Sequence, residues 1–478
     1  MNSFLSISFN RSWNPTIIFF RNFSTLKRRQ NIQINREMLK MLDDGELKHR
    51  KHFGKRNNPC SNLPYRLHSA ALTVINKYRG AKFRADVQKI GREFLTTMID
   101  SVQYQSSGYS QDNKITVNED IESVYQDKIN FKDDFKRKNF LDEPYNQHDC
   151  VALMAARLPA NYAALSYILN EIRHEEPDFE PSSLFDFGSG FGTTIWAVDQ
   201  YWGNSIKEVF CVDLNENMNE LSRELLQKGT VNDSDILNRI FYRQFLPAKH
   251  IPTYDLVVSA FSLLEFMDTR SRIHVVENLW KKTSGALVLV EHGSKAGFHA
   301  IMEARNFILQ ISNKQLDPLT EKINPDVNQV SSNLTRSEGS VLAPCPHDFI
   351  CPRQSDLLKK SFCNFVINYK VLDYGQPNPG VKKEKFAYVV LKKNNFQQWK
   401  EDQKSWPRIV EQVIKNSRHS ICRVCTSNGE LKEFIFTKSK TEHHLYRCAR
   451  LSSWGDKLPS RIIEEIVEPE SEDPTNKQ

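Results

Sequence analysis

The segment Leu184-Phe185-Asp186-Phe187-Gly188-Ser189-Gly190-Phe191-Gly192-Thr193 restricts the fold of this chain more than any other. A short apolar run ends on an acidic residue, three alternating glycines follow, and a helix-compatible stretch begins behind them. Such a loop turns sharply and lets a ligand approach backbone N–H groups at a helix start. The same alternation continues downstream. Val209–Val212, Leu256–Ala260 and Leu287–Glu291 are short apolar runs separated by stretches long enough for crossover helices. That spacing predicts a parallel sheet covered on both faces. Val366–Leu372 and Phe386–Leu391 flank Tyr374-Gly375-Gln376-Pro377-Asn378-Pro379-Gly380, a strand–turn–strand signal. Ahead of the glycine loop, Leu158-Pro159-Ala160-Asn161-Tyr162 reads as a helix start, with Leu165, Ile168, Leu169 and Ile172 as its buried stripe.

Antiparallel strands closing a doubly wound α/β sheet are the Rossmann-like arrangement of class I S-adenosylmethionine methyltransferases. The loop suits either a phosphate cofactor or S-adenosylmethionine. Asp186 ending its strand, and Asp213 closing Phe210-Cys211-Val212-Asp213, favour the methyl donor, although NAD would use the same constellation. The expected cofactor residues are Asp186, Gly188, Ser189, Gly190, Gly192 and Asp213. After the fourth strand stands Ser259-Ala260-Phe261-Ser262-Leu263-Leu264-Glu265. It holds neither the Asn/Asp-Pro-Pro element of amino-methylating enzymes nor a Pro-Cys nucleophile pair. Glu265, Glu291 and His292 are the polar candidates nearby, and His292 reads equally well as a structural histidine. No catalytic residue is assigned, and whether the chain is an enzyme stays open.

The cysteines add a second constraint. Of nine, six fall late: Cys345, Cys351, Cys363, Cys422, Cys425 and Cys448. Prolines flank Cys345 and follow Cys351, while Cys422 and Cys425 form a C-x-x-C. Thiolates in this number suit zinc or an iron–sulfur cluster, and spacing does not choose between them. Disulfides are not expected, because the N-terminus reads as a mitochondrial presequence. Its first 36 residues contain no Asp or Glu but hold Arg11, Arg21, Lys27, Arg28, Arg29 and Arg36 among Ser and Asn. The matrix is a reducing compartment. The apolar run from Thr16 to Phe20 is too short to span a bilayer, and no membrane partner is expected. A net charge of +7 permits a nucleic-acid partner. Lys48, Arg50, Lys51, Lys55 and Arg56, then Lys77, Arg79, Lys82, Arg84, Lys89 and Arg92 with Tyr78 and Phe83 between them, are phosphate-contact and stacking candidates. Such charge runs equally describe solvated helix faces.

The chain resembles the methyltransferase-like 17 family of mitochondrial small-ribosomal-subunit assembly factors. The resemblance rests on Phe185 to Gly190, Val290-Glu291-His292-Gly293 to Ala304-Arg305, Ala343-Pro344-Cys345-Pro346-His347, Arg423-Val424-Cys425, and Tyr446-Arg447-Cys448-Ala449-Arg450 to Ser453-Trp454-Gly455-Asp456. It implies a 4Fe-4S cluster held by Cys345, Cys351, Cys363 and Cys425, with Cys422 as the alternative to Cys425 and Cys448 as a neighbour. It also implies binding of S-adenosylmethionine, of small-subunit mitochondrial rRNA and of ribosomal proteins of the assembling subunit. Lys382, Lys383, Lys385, Arg447 and Arg450 join the phosphate-contact candidates. The expected organisation is a presequence (1–30), a basic helical region (31–156), a Rossmann-like domain (157–340), a β-rich iron–sulfur module with the closing strands (341–463) and a disordered acidic tail (464–478). The rival readings are a catalytic rRNA methyltransferase and a zinc-stabilised RNA-binding protein. A radical S-adenosylmethionine enzyme would need a C-x3-C-x2-C run, which the chain lacks.

Overall fold

A parallel sheet buried on both faces needs helices on each side, and the chain provides them in alternation. The computed structural model describes residues 28–56, 60–106, 145–229, 239–245, 252–266, 268–312, 339–355, 362–375, 379–393 and 405–466. The expected presequence up to residue 27, residues 313–338 within the expected Rossmann-like domain, and the expected acidic tail from 467 lie outside them. Residues 34–460 form one unit. The described part of the other is a two-stranded ribbon of β1 (Arg28–Ile34) and β14 (Ser460–Ile466).

The large unit begins with α1 (Arg36–Asp43), α2 (Tyr65–Asn76), α3 (Ala81–Ser106) and α4 (Gln147–Glu175). Its sheet comprises β2 (Ser183–Phe187), β3 (Glu208–Val212), β4 (Ile240–Arg243), β5 (Tyr254–Ala260), β6 (Thr283–His292), β7 (Gly339–Ala343), β8 (Phe365–Lys370) and β9 (Val381–Lys393). The spatial order is β4-β3-β2-β5-β6-β9-β7, with β8 also paired to β9. The first five strands are parallel, and β9 runs antiparallel to β6, β7 and β8. This is a Rossmann-like sheet of the methyltransferase type, and its strand order reverses between β2 and β5. Period-two alternation sorts the strand residues between two cores. Leu184, Val258 and Val288 face α4 together with α5 (Thr193–Trp202) and α6 (Glu216–Gly229). Phe185, Val257 and Leu287 face α7 (Thr269–Lys282) and α8 (Lys295–Ser312).

The helix expected to start at Leu158 starts at Gln147 instead. The Asn146 side chain caps it by accepting the Asp149 N–H at 3.0 Å, and Pro159 sits in its interior. Cys150 to Met154 are buried in the same core as the later stripe. Burial over both turns therefore outweighs the one N–H that Pro159 lacks. The helix crosses the expected division at 156/157.

Beyond the short α9 (Pro352–Ser355), β10 (Arg408–Ile409), β11 (Ile414–Lys415), β12 (His419–Cys425) and β13 (Leu431–Thr437) form an antiparallel sheet, followed by α10 (His443–Leu451). Arg408 joins this sheet to the Rossmann-like layer. Its buried guanidinium donates to Pro344 O at 2.9 Å and Gly455 O at 2.7 Å, and pairs with Glu171 of α4. The Tyr388 hydroxyl donates to the same carboxylate. One turn on, Glu175 meets Arg56 and Lys457, each at 2.7 Å. Burial alone would raise the Glu175 pKa, but Lys457, Arg56 and Arg408 outweigh it and hold it at about 2.

Arg408→Met leaves Glu171 buried without its main cation. The expected result is a loss of about 3–5 kcal/mol in unfolding free energy, seen as a lower urea midpoint. Pairing it with Glu171→Gln should recover part of that loss.

Candidate functional site

The glycine loop leaves β2 and enters α5 through three left-handed residues, Gly188 (φ 69°), Gly190 (φ 49°) and Gly192 (φ 76°). A side chain at Gly188 would meet Ser262 Cβ at 2.5 Å, and one at Gly192 would meet Ser222 Oγ at 2.2 Å. At Gly190 it would meet nothing within 4 Å, so this residue borders open space. The loop amides are largely committed inside the protein. Gly188 and Ser189 donate to Val212 O, Gly192 donates to Ser189 O, and Gly190 donates to Asp213 Oδ2 at 2.8 Å. That is a poor cradle for a phosphate, which needs free donors. Asp213 completes its ring of contacts by accepting Asn215 N–H at 2.9 Å. Asp186 is fully buried and accepts the Thr194 hydroxyl at 3.0 Å; burial pushes its pKa up to about 7. It braces the loop from beneath.

The wall facing the loop is acidic. Glu265 reaches solvent yet is walled in by protein, and burial, then Asp213 and Glu291, raise its pKa to about 8. Burial also raises Asp213, against the N–H groups of Asn215 and Gly190. Glu291 is inaccessible to solvent, and its Oε1 accepts the amides of Leu263 (2.7 Å) and Leu264 (3.3 Å). Burial lifts its pKa to about 7. Phe261, directly after β5, has a φ of 59°, a conformation costing a non-glycine residue about 1–3 kcal/mol. Its ring lies 4.8 Å from that of His292. His292 is buried between Phe261 and Phe94, its Nδ1 3.6 Å from Glu384, which Arg157 holds at 2.7 Å. This packing gives His292 a structural place rather than a free base's.

The second site gathers residues far apart in sequence. Cys345 follows β7, Cys351 precedes α9, Cys363 precedes β8 and Cys425 ends β12. All four line one cavity with Pro344, Pro352, Phe365, Val410 and Leu431. Arg305 of α8 is buried behind it and donates to His347 O (3.0 Å) and Phe349 O (2.8 Å), tying down the loop between the first two cysteines. Asp348 accepts Val341 N–H from the same loop at 2.8 Å. His347 Nε2 lies 3.2 Å from Cys425 Sγ. Burial raises the thiol of Cys345 to about 11. It raises Cys363 and Cys425 further, each with added repulsion from the other cysteines. Ionising these thiols together therefore calls for a cation among them.

Cys422 and Cys448 stand elsewhere. Strand alternation sends Cys422 and Cys425 to opposite faces of β12, and Cys422 Sγ approaches Ala449 O at 3.9 Å. Cys448 packs with Met38, Leu42 and Trp406.

A family model described as mitochondrial small ribosomal subunit Rsm22 matches residues 147–459. The chain belongs to the Rsm22 family. It is 38% identical over 315 residues to the human "Ribosome assembly protein METTL17, mitochondrial", a match covering 66% of this chain and 63% of that one. It is 26% identical over 349 residues to the "Rsm22-cox11 tandem protein 2, mitochondrial" of Schizosaccharomyces pombe, covering 65% and 43%. The chain thus spans less than two-thirds of the length of these curated relatives. A solved magnesium protoporphyrin IX methyltransferase of Synechocystis with S-adenosylmethionine is 16% identical, with a TM-score of 0.23 over 38% of this chain and 83% of that one. With these mitochondrial relatives, the chain is assigned to the mitochondrial matrix.

The Rsm22-family chain distributes its expected phosphate contacts unevenly. Lys382, Lys383 and Lys385 stand exposed along β9, as do Arg447 on α10 and Lys48, Arg50 and Lys51 before α2. Arg450 is half-buried and donates to Asn416 O at 2.6 Å. Arg56 is buried against Glu175, and Phe83 lies in the core, so neither is a surface contact. Ion pairing and the apolar stripe of α3 explain these two corrections. Among the described residues, no helix is long and apolar enough to cross a membrane.

Glu291 gives the site a pH signature. Its pKa rises from 4.5 unfolded to about 7 folded, so its stabilising proton is present at low pH and lost as pH climbs through that window. Glu291→Gln should gain on the parent by roughly 1–3 kcal/mol between pH 5 and pH 8, read from unfolding midpoints at each pH.

Proposed function

We propose that this Rsm22-family protein is an assembly factor of the mitochondrial small ribosomal subunit that binds small-subunit rRNA and ribosomal proteins. In this reading it carries a 4Fe-4S cluster on Cys345, Cys351, Cys363 and Cys425. It binds S-adenosylmethionine at the Gly188–Gly192 loop and Asp213. The observation that carries the proposal is the convergence of four thiols from four separate segments on one cavity. Thiols in this number suit an iron–sulfur cluster or zinc, and the family resemblance favours the cluster. Arg305, Arg353 and Arg408 lie around the thiols and suit the net negative charge of a thiolate-ligated centre.

When bound, the cluster would cross-link the four segments that hold it. The chain's own residues do the rest. Arg305 positions the Cys345–Cys351 loop, and His347 lies within hydrogen-bond distance of the Cys425 sulfur. In the other cleft, open space at Gly190 and the carboxyl groups of Asp213 and Glu265, which a bound cation would help to ionise, suit a ligand bearing sulfonium and ammonium charge. Phe261 stands in the loop after β5, where amino-methylating enzymes place a polar residue to orient the target amine. This favours a binding role over a catalytic rRNA methyltransferase. Exposed Lys382, Lys383, Lys385 and Arg447 are the phosphate contacts.

Anaerobic purification followed by metal and sulfide analysis tests the proposal. About four iron and four sulfide per chain are expected. Cys345→Ser and Cys425→Ser should lose iron, while Cys422→Ser keeps it. Zinc without iron would overturn the cluster. Gly190→Asp should abolish S-adenosylmethionine binding with iron unchanged, and methyl transfer to small-subunit RNA by the parent protein would replace the binding role with an enzymatic one.

A further inference from the structure

Three imidazoles meet where the segment after α1 crosses the start of α10, apart from both cavities. His49 lies in the 3-10 turn His49–Lys51, and His443 and His444 are the first two residues of α10. Their ligand nitrogens all lie within 4.8 Å of one another. His49 Nε2 is 2.9 Å from His444 Nδ1, with the two rings nearly parallel at 9°. The His443 ring stands edge-on to both, at 85° and 81°. His444 Nε2 lies 3.0 Å from an Asp43 carboxylate oxygen.

We propose that His49, His443 and His444 form a site for a divalent zinc-like ion, with Asp43 as its outer-shell carboxylate and a fourth position open to solvent. The Asp43 contact suits one tautomer of His444. With its proton on Nε2 and directed to the carboxylate, His444 presents the Nδ1 lone pair toward His49, the carboxylate–histidine arrangement that orients metal-bound imidazoles. In that tautomer the metal-free pair would place one proton, carried on His49 Nε2, on the line between the two nitrogens. An ion would displace that proton and need the nitrogens about 3.3 Å apart for tetrahedral bonds, a small opening from 2.9 Å. Imidazole nitrogens select borderline ions such as zinc, copper or nickel over calcium or magnesium. The helix start and Arg447 both disfavour a cation here. Glu442 answers them at the same end, its carboxylate accepting the amides of His444 and Leu445 at 2.8 Å. Bound there, the ion would staple the 3-10 turn to α10, two segments 395 residues apart.

Untagged full-length protein, with its native iron content and treated with a chelator to remove loosely held metal, is titrated with zinc chloride and separately with cobalt(II). One equivalent of zinc is expected. Visible cobalt bands should appear without thiolate charge transfer, which separates this site from the cysteines. His443→Ala and His444→Ala should each weaken zinc binding more than tenfold, and Asp43→Asn by about tenfold or more. His419→Ala should leave it unchanged. Equal zinc uptake by the His49→Ala/His443→Ala/His444→Ala variant, or a cobalt spectrum dominated by thiolate, would overturn the site. Exposed His443 alone tests the same point if the triple variant fails to fold.

Discussion

The buried pair of Arg408 and Glu171 is the joint on which the two halves of the large unit depend. A guanidinium without access to water costs several kcal/mol unless every donor direction is used. Here one direction goes to the carboxylate of α4, one to Pro344 O at the mouth of the thiol cavity, and one to Gly455 O. The same side chain therefore senses the Rossmann-like layer, the loop that carries Cys345 and the Trp454-Gly455-Asp456 turn. Asp456 repeats the device by accepting the Arg56 amide at 2.8 Å and the Ser453 amide at 2.7 Å. Gly455 is needed because a side chain there would meet the Tyr167 hydroxyl at 2.5 Å and because its φ is 94°.

Much of the sheet was legible in the chain because its strands are short, wholly apolar and bounded by turns. The glycine loop was legible for the same local reason. What depended on distant partners was not. The start of α4 is hidden because Pro159 resembles a first-turn proline, while the buried run Cys150–Met154 before it carries no polar contrast. Phe83 reads as a stacking candidate by its basic neighbours, but Phe83, Val87, Ile90 and Phe94 trace one helical face that packs into the core. The choice between Cys422 and Cys425 had a local signal too. A spacing of three on a strand puts the two thiols on opposite faces, so they cannot share one site. By contrast, nothing short of the fold brings His49 to His444 or Arg408 to Glu171.

The two cavities are different kinds of pocket. At the glycine loop, burial raises the pKa of Glu265 and Glu291, with repulsion from Asp213 and Glu291 adding at Glu265, and Phe261 is held in a strained conformation at the rim. The thiol cavity is lined by apolar side chains together with Arg353 and Arg408, a surrounding that suits the anionic centre proposed above. Loops carry Asp213, Phe261 and three of the four cysteines, and Glu291 on β6, Arg305 on α8 and Arg408 on β10 anchor those loops to rigid elements.

The placement of the thiols also connects any metal to the basic surface. Cys363 immediately precedes β8, and β8 pairs Val366 with Lys385, Asn368 with Lys383 and Tyr369 with Lys382. Cys425 ends β12, whose Cys422 packs against the α10 backbone between Arg447 and Arg450. Each basic element is thus one strand away from a thiol. Without a cation, burial and like-charge repulsion oppose ionisation of Cys345, Cys363 and Cys425, and the segments are held by hydrogen bonds such as those of Arg305 to His347 O and Phe349 O and of Arg408 to Pro344 O. With one, the register of β8 on β9 and the seat of α10 on β12 are pinned at their ends, and the lysines and arginines face outward from a fixed frame. If this basic surface is the rRNA-binding face proposed above, a metal centre in this position would act on those contacts without touching RNA.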